Sequence, residues 1–304
     1  PFSLAESQQL QSLNAGFRRL VSAQRVLVAV TVRGLVCVWW DGKCWRWVLA
    51  HWPVESLRDG IPHERESMGE LLADLLLEMN VAGANVELLL PLPGVHWRVM
   101  EGLPPGELDQ ARRAVVDLPW PLVFEESYTA VMPLDPFIIA VGVSRQHLQA
   151  WIDVVESADL PLTHMGWILT SALRGLRKLN PDWQGDIAWV IEEEESMLRL
   201  VILRRGIPEI DRLIEPGFEP IKEIRRCLRA WKQFHKEDSP LGWWFCVPFD
   251  RVSTWDSAMD HDGGETCLNV PIPSGLQTVD LINGSESLDP LIHLALFGEL
   301  EGVG

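Results

Sequence analysis

Leu10, Leu13, Phe17, Leu20 and Val21 fall on one side of a 3.6-residue period and predict an amphipathic outer helix at the start of the chain. Three β-like runs follow, Val26 to Val32, Leu35 to Trp40 and Cys44 to Ala50, which predict an antiparallel meander. The last two are joined by Asp41-Gly42, a two-residue hairpin signal because both residues tolerate positive φ. Ser67 and Glu70 have the spacing of a capping box, and Met68, Leu71, Leu72, Leu75, Leu76 and Met79 then trace one apolar stripe of a helix. Asn85 to Leu90 is a short, almost continuous apolar run, as expected of a strand covered on both faces. The opening order is therefore β-β-β-α-β.

A second block predicts a strand near Val95 to Met100, a helix near Gly106 to Asp117, strands near Tyr128 to Met132 and Phe137 to Val143, and a helix capped by Ser144 that carries Leu148, Trp151, Ile152 and Val155. The order β-α-β-β-α is that of a small α+β module inserted between the Pro91-Leu92-Pro93-Gly94 hinge and the Leu160-Pro161 junction. Met165, Ile168, Leu169, Ala172, Leu173 and Leu176 predict a further helix, closed by Asn180-Pro181. The opening order then recurs: Asp186 to Ile191, Leu198 to Leu203, a turn at Arg205-Gly206, Ile207 to Leu213, and a long helix striped by Ile221, Ile224, Cys227, Leu228, Trp231 and Phe234. The chain closes with strands at Trp243 to Val247 and Cys267 to Val270 and a helix N-capped by Asp289, with Pro290 in its first turn and Gly298 at its end.

Two meanders, each followed by helix and strand, are similar in order to the duplicated architecture of the actin-like ATPases, which share the ribonuclease-H-like fold. The expected fold class is α/β, two-lobed, with duplicated β-β-β-α-β-α units. The expected division places the first lobe in 1–91 and 158–181, an inserted α+β subdomain in 92–157 and the second lobe in 182–304.

The wording from Leu90 to Leu176 resembles the PilM family of type IV pilus assembly proteins: LLLPLPGVHWRVMEGLP, then PPGELDQARRAVVDLPWPL, then FIIAVGVSRQHLQAWIDVVESADLPLTHMGWILTSALRGL. It continues in VILRRGIPEIDRLI and LDPLIHLALFGEL, so the resemblance, one of pattern and spacing, runs from about Arg25 to Leu300. It implies a cytoplasmic protein that binds ATP between its lobes and holds the short cytoplasmic tail of an inner-membrane partner, PilN; the cytoplasmic domain of the type II secretion protein GspL is the nearest sibling.

The nucleotide residues that the family implies are largely replaced. In the first phosphate loop, AVTVRGLVCV, Val30 stands at the family's Asp, Val32 at its Gly and Cys37 at its Lys, leaving Thr31, Arg33 and Gly34 as the residues able to touch an anion. The second loop reads IEEEES; Glu192 replaces the family's Asp, but Glu193, Glu194 and Glu195 would face a nucleotide of about four negative charges. At about 4 Å and a surface-like dielectric each such contact costs about 4 kcal/mol. The adenosine segment, normally a Gly-Gly pair after a strand, is GWWFCVPFD, with bulky Trp243, Trp244 and Phe245. The resemblance also puts the peptide groove between insert and first lobe, near the Trp120-Pro121 turn; Trp97 and Trp120 are the candidate partner-binding residues.

Composition narrows the choice further. With 47% hydrophobic and 23% charged residues the chain carries enough apolar material for a sizeable core. The 26 Lys+Arg against 43 Asp+Glu leave a formal net charge of −17, which repels phosphate backbones and anionic headgroups and disfavours nucleic acid as a partner. Five cysteines without a CxxC pair, and no signal peptide ahead of them, fit a reducing compartment, so the expected location is cytoplasmic. No stretch approaches the roughly 18 unbroken apolar residues of a membrane span; any membrane link is borrowed from a partner, and direct insertion is not expected.

No metal site is expected. The Glu192 to Glu195 run reads as a solvated hairpin tip or as a divalent-cation ligand set, and the acidic stretch of Asp256, Asp260, His261, Asp262 and Glu265 lacks calcium-loop spacing. Trp39, Trp45, Trp47, Trp52 and Trp97 read as core filling or as a peptide groove. The helix Ile221 to His235 carries Lys222, Arg225, Arg226, Arg229 and Lys232 outside, either a solvated face or a dock for an acidic partner.

The first functional expectation is a non-catalytic, pseudo-ATPase adaptor that resembles PilM and captures the cytoplasmic tail of a PilN-like inner-membrane protein, with no cofactor; ATP with Mg²⁺ is disfavoured. The alternative is an active ATP-binding member of the same fold in a pilus or type II secretion machine. A third reading, an interaction protein unrelated to pili, keeps only the fold.

Overall fold

A computed structural model describes residues 24–100, 102–104, 106–134, 137–179, 185–192, 197–215, 219–235, 241–259, 266–269, 276–278 and 288–300. The helix predicted from Leu10 to Val21, the Asn180-Pro181 stop, Glu193 to Glu195 and the acidic stretch from Asp260 to Glu265 lie outside these residues. The described residues divide into two compact units, one drawn from 1–90, 147–166 and 277–280, the other from 91–146, 167–276 and 281–304.

In the first unit the meander is β1 (Arg25–Val30), β2 (Gly34–Trp40) and β3 (Trp45–His51), antiparallel in register, with Val28 opposite Cys37 and Cys37 opposite Val48. The hairpin between β2 and β3 has four residues rather than two, because Trp40 pairs with Trp45 across it. Asp41 holds the longer turn: its Oδ1 accepts from the amides of Lys43 and Cys44 at 2.8 and 2.9 Å, and its Oδ2 from Arg46 Nε at 2.7 Å. The Arg46 bond, helped by those two amides, holds the Asp41 carboxyl well below the usual carboxylate range.

The short strands β4 (Leu57–Arg58) and β5 (Ile61–Pro62) precede α1 (Arg65–Glu78). The capping box does not form. The helix opens two residues before Ser67, whose hydroxyl donates back to the Glu64 carbonyl at 3.1 Å, and Glu64 stands at the N-cap without a side-chain cap bond. Its buried stripe includes the predicted Met68, Leu72, Leu75 and Leu76. β6 (Asn85–Leu90) then lies parallel to β1, Val28 opposite Leu88.

The second unit begins with β7 (Val95–Met100), α2 (Leu108–Ala114), β8 (Ser127–Leu134) and β9 (Phe137–Ser144), the three strands forming a sheet ordered β7-β9-β8. Helix α3 (Arg145–Ser157) follows β9 in sequence but belongs mainly to the first unit, where Trp151 Nε1 donates to the Gly60 carbonyl at 3.0 Å and Asp153 pairs with Arg65. β10 (Leu162–Trp167) takes in Met165, which the sequence pattern places at the start of a helix. It is instead the edge strand beside β6: Thr163 and His164 break the apolar stripe, and Thr163 Oγ1 donates to Val86 O at 3.0 Å. The helix itself, α4 (Ile168–Leu179), starts three residues after Met165.

The meander recurs as β11 (Asp186–Glu192), β12 (Leu198–Arg204) and β13 (Ile207–Ile214), then α5 (Pro220–Phe234) and β14 (Leu241–Cys246), which pairs parallel to β11 with Trp189 opposite Trp244. The Arg205-Gly206 turn is a two-residue hairpin with φ of 51° and 82°, and buried Asp186 accepts from the Arg205 amide at 3.2 Å. Residues after β14, left without an assignment by their sequence, form α6 (Phe249–Met259). β15 (Thr266–Asn269) joins the five-stranded sheet β13-β12-β11-β14-β15, while β16 (Leu276–Thr278) ends the six-stranded sheet β10-β6-β1-β2-β3-β16.

The last helix, α7 (Pro290–Glu299), is capped as expected: Asp289 Oδ1 accepts from the Leu291 amide at 2.7 Å. Gly298 does not end it. That residue lies inside the helix where α7 meets α4, and a Cβ there would stand 2.0 Å from the Ser171 carbonyl oxygen; a Cβ on Gly175 would stand 2.0 Å from that of Leu294. The two glycines let the backbones touch, and Arg174 pairs with Glu299 beside them. No helix among the described residues is long and apolar enough to cross a membrane.

Gly298→Ala is expected to lower the melting temperature by about 5 °C: overpacking costs of about 1–3 kcal/mol outweigh the roughly 1 kcal/mol gained in helix propensity. An equal or higher melting temperature would mean that α4 and α7 are not in backbone contact. Burial holds His293 on α7 down to about 4, so the unfolded chain takes up its proton first as the pH falls and stability is lost between about pH 6.5 and 4. Chemical denaturation should show the stability difference between the wild type and His293→Gln shrinking across that window; a constant difference refutes the assignment.

Candidate functional site

The segment expected to form a first phosphate loop joins two strands that are buried almost throughout, and only Thr31, Val32 and Arg33 separate them. Structure brings Thr31, Arg33 and Gly34 together in one closed turn. The Thr31 amide donates to Gly34 O at 2.8 Å, and the Thr31 hydroxyl accepts from the Gly34 amide at 3.0 Å and lies 3.2 Å from the Gly34 carbonyl. An amide of the kind that cradles a phosphate is therefore already spent on a neighbouring side chain.

Trp52, named from sequence only as core or groove, clasps the turn from the end of β3. Its amide donates to Arg33 O at 2.8 Å and its indole Nε1 to Thr31 O at 3.0 Å. Gly34 serves a packing role in the same place, since a Cβ on it would stand 2.1 Å from the Ala50 carbonyl oxygen. Of the three residues that the resemblance sets at loop positions, Val30 is fully buried, Val32 is 37% exposed, and burial pushes the thiol of Cys37 far up, so that it stays neutral.

Glu192 lies in the other compact unit, at the end of β11. Its Oε1 is ion-paired with Arg251 in the first turns of α6, and its Oε2 is buried without a hydrogen-bond partner. Desolvation raises its pKa, Arg251 opposes the shift and Asp250 adds to it. Arg251 was not singled out from sequence, because 59 residues separate it from the acid it meets.

The adenosine segment GWWFCVPFD contains the strand expected at Trp243 to Val247. Trp243, Trp244 and Phe245 lie within β14 itself, each 2% exposed, and not in the loop after it. Trp243 and Phe245 stack at 6.1 Å with planes 7° apart and fill the core under α5 and α6. The residues that follow the strand are Val247 and Pro248, and the Pro248 carbonyl accepts from the Arg251 amide at 2.8 Å as α6 begins.

Trp97 on β7 and Trp120, in the connection before β8, lie on opposite faces of the β7-β9-β8 sheet. Trp97 is 5% exposed; its indole donates to Asp211 Oδ2 on β13 at 2.8 Å and meets Trp167 edge-on at 5.6 Å. Asp211 is held in turn by Arg199 Nη1 at 3.0 Å. Trp120 is half-buried, lies over Gly142, donates to Val115 O at 2.9 Å and has the Arg98 guanidinium 5.9 Å from its ring. Side chains of a strand alternate between faces, and Gly142 pairs with His96, so Trp120 covers the His96 and Arg98 side of β7 while Trp97 points away from it. Among the described residues, no group of three or more His, Cys, Asp or Glu is arranged to hold a metal ion.

No family model matches the sequence, and no curated protein matches it either. Solved structures do. The PilM-PilN type IV pilus biogenesis complex aligns with a TM-score of 0.65 at 17% identity, over 93% of this chain and 99% of that one. A protein of unknown function with an actin-like ATPase fold from Bacteroides thetaiotaomicron aligns with a TM-score of 0.54 at 9% identity, over 82% and 91%. The cytoplasmic domain of EpsL, an inner-membrane component of the Vibrio cholerae type II secretion system, aligns at 0.47 and 13% identity, over 90% and 94%. The first two, with the repeated meanders and their parallel fourth strands, meet the expectation drawn from element order: the chain has the actin-like ATPase fold and is similar in fold to a chain of the PilM-PilN complex.

Proposed function

We propose that the chain is a non-catalytic adaptor of a type IV pilus or related secretion machine, located in the cytoplasm, that holds a short cytoplasmic tail of a PilN-like inner-membrane protein. The observation that carries the reading is the closed turn at Thr31 to Gly34, whose hydroxyl and carbonyls are spent on Gly34 and Trp52 and which contains no carboxylate. Mg-ATP fits these residues poorly. A metal bridging two phosphates needs an acid near the first loop, and the one acid described at the second, Glu192, already faces Arg251. The shape likeness to a PilM-PilN complex supports the pilus context.

In this reading the inserted subdomain expected over 92–157 is the β7-β9-β8 sheet with α2, without α3, which belongs mainly to the first unit, and Trp120 is the better placed of the two candidate partner-binding tryptophans, because Trp97 has almost no exposed surface and instead braces β7 against β13. The runner-up, an active ATPase, rests on the same fold.

The two separate in a thermal-shift titration. A nucleotide binding only the folded chain at about 100 times its Kd would add roughly 2.7 kcal/mol of stability. Millimolar Mg-ATP is expected to leave the melting temperature unchanged, while a synthetic peptide of the partner's cytoplasmic tail raises it. A Mg²⁺-dependent shift with ATP would sink the non-catalytic reading, and the absence of any shift with the peptide would sink the adaptor.

A further inference from the structure

Helix α5 turns Ile224, Cys227, Leu228 and Trp231 into the core of the second unit. Its opposite face is unlike the rest of this acidic chain. Lys222, Arg226 and Arg229 follow one another at i, i+4 and i+7 and are exposed, and Phe234 in the last turn, expected from the sequence on the apolar stripe, is instead 84% exposed, about 120° round the helix from Lys222 at the border of the basic face, with exposed Ala230 one turn before it. The carboxylates on this face are already engaged: Glu219 pairs with Lys222, and Glu223 accepts from Arg212 at 2.5 Å and from Arg226 at 2.8 Å. Arg229 has no carboxylate partner among the described residues. Together Glu219, Lys222, Glu223, Arg226 and Arg229 line an open concavity of about 370 Å³.

We infer that this face of α5 docks an acidic peptide of a partner protein, its carboxylates on Arg226, Arg229 and Lys222 and an apolar side chain against Phe234. The surface is separate from the proposed tail-binding site and does not depend on that reading. Charge complementarity selects the occupant. Guanidinium forks take carboxylates in a bidentate manner, and Arg is enriched among residues that dominate interface energies. A nucleic acid fits less well, because a polyphosphate would approach a chain of net charge −17 and has no apolar group to bury on Phe234. A second copy of this face is excluded as occupant by like charge, since a two-fold contact sets each patch against itself.

The probe is a fluorescein-labelled synthetic 12-residue peptide of Glu, Asp, Phe and Leu in helical spacing, followed by anisotropy with the whole chain at low and at physiological salt. Binding is expected, weaker at the higher salt where charges are screened beyond about 8 Å. The double variant Arg226→Glu, Arg229→Glu should lose at least tenfold in affinity, Phe234→Ser about threefold, and the milder Arg226→Gln, Arg229→Gln should fall between, all with melting temperatures near that of the wild type. A peptide of equal charge lacking Phe and Leu should bind more weakly, and one with Lys in place of the acids should not bind. The inference is overturned if the acidic peptide does not bind, if the folded charge-reversal variant binds it equally, or if a short DNA duplex binds this face more tightly. It is also overturned if sedimentation shows self-association that the double variant abolishes.

Discussion

Both large sheets are organised around a strand buried on both faces. β1 runs between antiparallel β2 and parallel β6, and β11 between antiparallel β12 and parallel β14, with scarcely an exposed residue in either. A strand in that position can carry only apolar side chains and must pair its backbone on both edges, so the neighbouring strands, the crossover helix and the covering helices are all imposed by it. Repeating the constraint twice along the chain yields the two meanders and the actin-like fold.

The same constraint explains where chemistry can and cannot reside. Polar groups are excluded from the strand bodies and collect at the strand ends, where the chain turns. At the end of β1 the turn is only three residues long, and its backbone polar groups are satisfied by the Thr31 hydroxyl and by Trp52. At the end of β11 the emerging carboxylate of Glu192 is met by Arg251. Each contact contributes about 1 kcal/mol or somewhat more as a hydrogen bond, with charge assistance in the second case. A ligand would have to replace these partners before it gained anything. At both strand ends the described polar partners come from the chain itself, Trp52 and the Thr31 hydroxyl at one and Arg251 at the other.

Close helix contact follows the same logic on a larger scale. At Gly175 and Gly298 two helices approach until a methyl group would no longer fit, which lets Ser171 and Arg174 reach Glu299. Polar contact there depends on the absence of side chains at two points, as the turn at Gly34 depends on the absence of one.

Most of the element order was legible because buried strands and amphipathic helices impose patterns of period 2 and 3.6 that need no partner to be recognised. Val26 to Val30, Asn85 to Leu90, the stripe of α5 and the Asp289 cap could all be read in this way. Elements whose identity depends on a neighbour were misread: β10 is a strand because β6 offers it an edge, α1 opens before Ser67, and Gly298 reads as a stop but is a contact point. Sequence alone thus determined the repeated order, the acidic balance and the absence of any carboxylate or glycine from Val30 to Arg33. Tertiary structure alone decided that Trp52 closes that loop, that Arg251 meets Glu192 and that Trp97 and Trp120 face opposite ways. Those outcomes join residues 21 and 59 positions apart or fix the face of a sheet, and no local period encodes either.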